Sequence, residues 1–147
     1  MPITPRRDGR PRNVEIAYWM WIVAAVLLVL FGALLSTAST DAVREVWQKN
    51  GNDPDGFTAY MRMLRGIGII SLVVGLGVGF LARPVRYGDA RFRRALVALS
   101  FVFALVGLGI VLIGIAPTVF IVVPLLLIAA GVVVFRPSAN SWFTDEQ

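Results

Sequence analysis

Residues 95–135 read ALVALSFVFALVGLGIVLIGIAPTVFIVVPLLLIAAGVVVF, about 40 consecutive positions without a charged side chain. A helix crosses the hydrocarbon layer of a bilayer with about 20 apolar residues, so this run is long enough for two crossings and too long for one. It has to turn back on itself. Pro117 marks the place, because a proline in the first turn of a helix gives up an N–H that would have no partner there, and Gly114 loosens the end of the helix before it. The stretch therefore predicts two antiparallel spans, at about 95–116 and 118–135. Pro124 lies inside the second and predicts a kink, since it removes one backbone hydrogen bond. Reading the same runs as buried strands fails on length, as strands occupy some 4 to 8 residues. The alternating pattern of an outer-membrane barrel is also missing.

Two more runs lie upstream. Residues 16–35 are free of charge and suffice for a first span. Residues 66–82 make a shorter second one, extended outward by Met61, Met63 and Leu64 past Arg62 and Arg65. The whole chain of 147 residues is 57% hydrophobic before its 14 glycines are counted, well above a soluble domain. It contains neither Cys nor His. Disulfides, thiolate or imidazole metal sites and Ser-His-Asp or Cys-His nucleophile systems are thereby excluded, and no cofactor is expected. The expected fold is all-α: a bundle of four transmembrane helices with a basic tail at 1–15, a membrane domain at 16–136 and a C-terminal tail at 137–147.

The charges give the orientation. Ten of the 14 Lys and Arg residues fall in the N-terminal tail (Arg6, Arg7, Arg10, Arg12), in the connection at 83–94 (Arg83, Arg86, Arg91, Arg93, Arg94) and at Arg136. The connection at 36–65 has four (Arg44, Lys49, Arg62, Arg65), balanced by Asp41, Glu45, Asp53 and Asp55. The positive-inside rule then places both termini in the cytoplasm. Tyr18, Trp19 and Trp21 at one end of the first span and Tyr60 near the outer end of the second fit interfacial aromatic belts. Ser36-Thr37-Ala38 after the first run resembles a signal-peptide cleavage site, but that run exceeds the 7 to 15 residues of a secretory apolar region, so an uncleaved span is expected. The arginine clusters admit two readings: topology determinants alone, or a grip on anionic lipid headgroups by Arg83, Arg86, Arg91, Arg93 and Arg94. The 13 to 1 excess of Arg over Lys points to a GC-rich genome.

The 36–65 connection should be a helical hairpin standing outside the membrane. Ser39-Thr40 followed by Asp41 and Glu45 suits a helix start, and Val43, Val46 and Trp47 recur at helical spacing. These three form an apolar face that either docks a partner or is buried against the interface or the facing segment of the hairpin. Asn50 to Gly56 is a turn cluster. A calcium loop aligned with Gly56 at its sixth position would put Gly51 first and Arg62 twelfth, so the essential carboxylates are missing.

Within the spans, Ser71, Gly75 and Gly79 repeat at four-residue intervals, and Ser100, Gly107 and Gly114 at seven. Such stripes let membrane helices approach closely, either within one bundle or against a partner helix or a second copy. No ionisable residue lies in the core of any span, which speaks against energy-coupled transport. Nucleotide-binding glycine loops are absent too, and no nucleic-acid partner is expected.

The opening Arg10-Pro-Arg-Asn-Val-Glu-Ile-Ala-Tyr-Trp-Met-Trp, followed by an apolar span, resembles the start of small four-helix membrane proteins abundant in actinobacteria. In that group the resemblance extends over the first three spans, with an amphipathic helix in the outer loop and a basic inner loop. The stretch Tyr87 to Arg94 corresponds to the group's inner-loop sequence but lacks its Trp. The resemblance implies a cell-membrane protein and supplies no activity or site residues. Three functional expectations follow. The first is a non-enzymatic accessory or scaffold subunit packed in a larger membrane assembly, the second a homo-oligomeric pore or carrier for an uncharged or lipidic solute. The third is a lipid- or regulator-binding module on Arg83 to Arg94.

Overall fold

The computed structural model describes residues 11–144; Arg6, Arg7 and Arg10 of the basic tail lie outside them. The described chain is all-helical. Six α-helices follow in order: α1 (Arg12–Thr37), α2 (Thr40–Lys49), α3 (Phe57–Arg86), α4 (Ala90–Leu112), α5 (Val122–Val134) and α6 (Pro137–Thr144). Short 3-10 turns at Pro54–Gly56 and Thr118–Ile121 lead into α3 and α5. Three helices, α1, α3 with its leading turn, and α4, are long and apolar enough to cross a membrane.

The helices run further than the apolar runs that announce them. At 83–94 only Tyr87–Asp89 interrupts the helix, the C-terminal segment holds α6 where a tail is expected, and α2 and the start of α3 fill most of 36–65. Polar residues at helix ends explain this. Ser39 caps α2, its Oγ accepting from the Ala42 N–H, and Asp89 caps α4, its Oδ1 accepting from the N–H groups of Arg91 (2.9 Å) and Phe92 (3.4 Å).

The three C-terminal ends share one device. Gly51, Gly88 and Gly114 have φ of 70°, 96° and 77°, just beyond α2, α3 and α4. After α4, the N–H of Gly114 bonds to Val111 O (3.0 Å) and that of Ile115 to Ile110 O (3.1 Å). Gly88 and Asp89 repeat the pattern on Val85 and Pro84, and Gly51 and Asn52 on Gln48 and Trp47. This is the Schellman closure, in which a left-handed residue lets the chain bond back onto carbonyls the helix leaves open. Gly114 is therefore not part of an α4 packing stripe: it lies past the helix, is exposed, and ends it.

Pro124 does not interrupt a continuous helix either. It stands in the first turn of α5, where its missing N–H has no intrahelical acceptor to lose, and the irregular backbone falls before it as the turn Thr118–Ile121.

The chain forms two compact units, Ala25–Leu76 and one built from the segments before and after it, with α1 and α3 contributing to both. In the Ala25–Leu76 unit, α1 and α3 meet backbone to backbone. A Cβ added to Gly68 would stand 2.6 Å from the Ser36 amide nitrogen and 2.9 Å from Gly32 O, and one added to Gly32 would stand 2.7 Å from Gly68 O. At Gly75 it would stand 3.0 Å from both Ala25 O and the Leu28 side chain. Ser71 is buried on the same stripe. In lipid, where apolar side chains gain nothing by leaving their solvent, this close approach is what holds two helices together.

In the other unit α4 packs chiefly on α5. A Cβ on Gly107 would come within 3.0 Å of the Pro124 ring, and Leu96, Ala104, Leu127, Ala130 and Val134 are buried. Trp21 is 0% exposed, and its Nε1–H donates to Ser100 Oγ at 3.2 Å. The belt expected of Tyr18, Trp19 and Trp21 thus loses one member to the interior, while Trp19 stays exposed with its Nε1–H on Glu15 Oε1 at 3.1 Å.

Gly68→Ala must push backbone apart and should cost about 1–3 kcal/mol, the usual range for overpacking. Gly66→Ala on the same helix meets nothing within 4 Å and should be neutral or stabilising by up to about 1 kcal/mol. Denaturant titration of the two variants in detergent, followed by circular dichroism, checks the contrast.

Candidate functional site

Two surfaces carry the side chains with functional potential, one in each unit. In the Ala25–Leu76 unit it is the hairpin formed by α2 and the start of α3. Phe57, Met61 and Leu64 of α3 form a buried cluster, and Leu35, Val43, Trp47 and Tyr60 pack against it. Trp47 caps it: its ring is tilted over Tyr60 at 4.7 Å and edge-on to Phe57 at 6.3 Å. Its Nε1–H donates to Asp53 O at 2.9 Å, which ties α2 to the turn that reverses the chain. Arg44 covers the Phe57 ring from 4.9 Å, and Arg65 donates to Thr40 Oγ1 at 3.1 Å.

Of the face Val43, Val46 and Trp47, two members therefore face inward, onto the other arm of the hairpin. Val46 points away and is 58% exposed, among the charged residues Asp41, Arg44, Glu45 and Lys49. Glu45 and Lys49 pair at 2.8 Å, an exposed helical contact of small energetic weight. In the turn, Asp53 accepts from the Asp55 N–H at 3.0 Å and so caps the 3-10 turn. No group of three or more metal-ligating side chains occurs among the described residues.

The second surface is the basic end of the other unit. The five arginines expected to face lipid divide into two sets. Arg83, Arg91 and Arg94 are exposed. Arg86 bonds to Glu15 Oε1 at 3.1 Å and lies over the Tyr18 ring at 4.7 Å, so α1 and α3 are tied by charge at this end. Arg93 is only 9% exposed; its guanidinium lies 5.0 Å from the Phe135 ring and 4.3 Å from that of Phe143. A guanidinium is weakly hydrated and stacks well on aromatic faces, so burial against two rings costs it less than it would cost a lysine. Arg93 thereby joins α4 to α5 and α6. Asn13 of α1 adds a hydrogen bond to Ser138 Oγ of α6.

Between α4 and α5, next to this end, runs an open apolar groove of about 380 Å³, lined by Val97 and Phe101 on one side and Ile128, Gly131, Val132 and Phe135 on the other, with Leu127 at its base. The stripe residues lie apart from it. Ser100 holds Trp21, Gly107 receives Pro124, and Gly79 is half-buried in α3. Gly32 and Gly68, which make the closest backbone approach among the described glycines, lie off both regular stripes. Gly32 is the single glycine of its helix and repeats with nothing, and Gly68 falls three residues before Ser71, off the four-residue spacing.

Comparison with protein-family models, curated proteins and solved structures found no match.

Trp47→Ala should loosen the hairpin by about 2 kcal/mol, below the 3–5 of a fully buried aromatic because the ring is half exposed. Trp47→Phe, which keeps the stacking and loses the bond to Asp53, should fall between. Limited proteolysis at Asn50 to Gly56 in detergent reports both.

Proposed function

We propose that the chain is a bacterial cell-membrane protein that crosses four times with both termini in the cytoplasm. On this reading it serves as a non-enzymatic accessory or scaffold subunit of a larger assembly in envelope biogenesis, transport or respiration. The observation that carries it is how the span residues are used. Several of the small and polar ones are taken up in helix packing: Gly32, Gly68 and Gly75 between α1 and α3, Gly107 on Pro124, and Ser100 on Trp21. The faces left outward carry large aliphatic groups such as Ile69, Val73 and Leu76. A helix bundle that spends its polar groups on its own cohesion supports assembly rather than a charged or polar translocation path.

The fourth crossing in this proposal is Thr118–Val134, about 27 Å of 3-10 and α-helix, close to the hydrocarbon thickness. The sorting of basic residues supports the orientation. The outer hairpin, with Val46 exposed on a folded support, is the surface offered to a partner.

Two experiments test this reading. The protein has no native cysteine, so single substitutions report topology cleanly: Gln48→Cys in intact cells should react with an impermeant maleimide, and Tyr87→Cys only after lysis. A photo-crosslinking residue at Val46 or Val73 should yield an adduct larger than the monomer; monomer alone at both positions, with no copurifying chain in mild detergent, would sink the subunit assignment. The groove between α4 and α5 favours one alternative, a homo-oligomeric carrier for a lipidic solute. Lipid-scrambling rates in reconstituted vesicles equal to those of protein-free ones would end it.

A further inference from the structure

We infer that the groove between α4 and α5 is a binding site for an anionic phospholipid, one acyl chain lying along the groove and the phosphate held by Arg94 and Arg136. The inference rests on the membrane placement of these two helices and is independent of the subunit role.

The groove exists because α5 presents Gly131 where a side chain would otherwise meet α4: a Cβ there would reach the Val97 side chain at 3.8 Å, ordinary contact, and glycine leaves that space open. Its volume of about 380 Å³ falls in the range of built ligand sites, and the residues that line it are all apolar. Such a groove is not left empty in a bilayer, because an unfilled gap forfeits the dispersion contacts of every atom lining it. A lipid chain is the apolar filler at hand.

What makes one class of lipid the fit is the groove's end. On α4, Arg94 precedes Val97 by three residues and Phe101 by seven, so it lies on the stripe that forms the groove wall, and it is exposed. On the facing side Phe135 ends α5 and is followed at once by Arg136, also exposed. Phe135 itself is both groove wall and the ring on which Arg93 rests. By their places in the chain, the exposed Arg94 and Arg136 thus stand at one end of the groove, on its two sides. Among the described residues, Asp89 caps α4 through the N–H groups of Arg91 and Phe92, and Glu15 holds Arg86. A guanidinium matches a phosphate in planar, two-bond geometry. Apolar chain and anionic head are therefore recognised by adjoining parts of one site.

The test is native mass spectrometry of the full chain released from mixed micelles holding equal amounts of dioleoyl phosphatidylglycerol and dioleoyl phosphatidylcholine. The wild type should retain one phosphatidylglycerol, preferred over phosphatidylcholine by about tenfold or more, since each cation near an anionic headgroup adds a factor of about five. Arg94→Gln with Arg136→Gln should bring the preference close to one, while Arg83→Gln with Arg91→Gln should leave it unchanged. Val132→Trp, at an exposed position that fills the groove without entering the core, should lower retention of both lipids about fivefold. Free glycerol phosphate should not displace the bound lipid. The inference is overturned by equal retention of the two lipids, by an equal loss in the two arginine pairs, or by displacement with glycerol phosphate. It is also overturned by a dimer that Val132→Trp dissociates, which would make a second copy the occupant. A chain extracted from membranes by carbonate would instead refute the membrane placement.

Discussion

Every peptide group in hydrocarbon must find its hydrogen bond within its own segment, because no water is present to supply one. Helices meet that demand in their interiors and fail it at their ends, so the places where this chain stops being helical are the ones that require explanation. Serine and aspartate side chains supply the missing acceptors at the starts of α2 and α4, and a left-handed glycine closes the carbonyls at the ends of α2, α3 and α4. The turn after Leu112 matters most, since it lies in the middle of an uncharged stretch. There Gly114 lets Ile115 and Gly114 itself bond back to Ile110 and Val111, so the carbonyls at the end of α4 are closed as the chain leaves the helix.

Once the backbone is satisfied, lipid offers helices no reason to associate other than contact. The two units answer this differently. Ala25–Leu76 uses backbone proximity, with Gly32 and Gly68 so near that neither tolerates a methyl group without displacing main chain. The other unit uses interlocking side chains and a few polar ties: Pro124 in the hollow of Gly107, Trp21 on Ser100, Arg93 between two phenylalanines, and Arg86 on Glu15. The polar ties gather at the basic end. Arginines that from sequence read as a uniform positive patch are there divided between those that hold helices together and those that face outward.

That division shows where the sequence was informative. Apolar length, the proline and glycine between the last two runs, and the cap residues at Ser39 and Asp89 are local properties, and local chemistry dictates helix formation in any context that excludes water. Alternation of Val43 and Trp47 on one face of α2 was equally legible. Which of the two open outcomes applied to them was not, because the answer depends on Phe57, Met61 and Leu64 some ten to twenty residues further on. How the backbone accommodates Pro124 was hidden for a related reason: the residue falls in the first turn of α5, directly after the 3-10 turn Thr118–Ile121, and where a helix changes type is set beyond the proline itself.

The sequence by itself determined an all-helical chain with segments long and apolar enough for a membrane, the sign and grouping of its charges, and the absence of thiol or imidazole chemistry. These follow from composition and from spacing within a single segment. Only the tertiary structure decided that Trp21 is interior, that Arg86 and Arg93 are committed to internal contacts, that Gly32 faces Gly68, and that Gly131 lines an open groove between α4 and α5. Each of those depends on which helix lies opposite. Helical periodicity fixes the face on which a residue sits, but the energy of a buried ring, a stacked guanidinium or a missing side chain belongs to the pair of surfaces that meet, and one strand of sequence names only one of them.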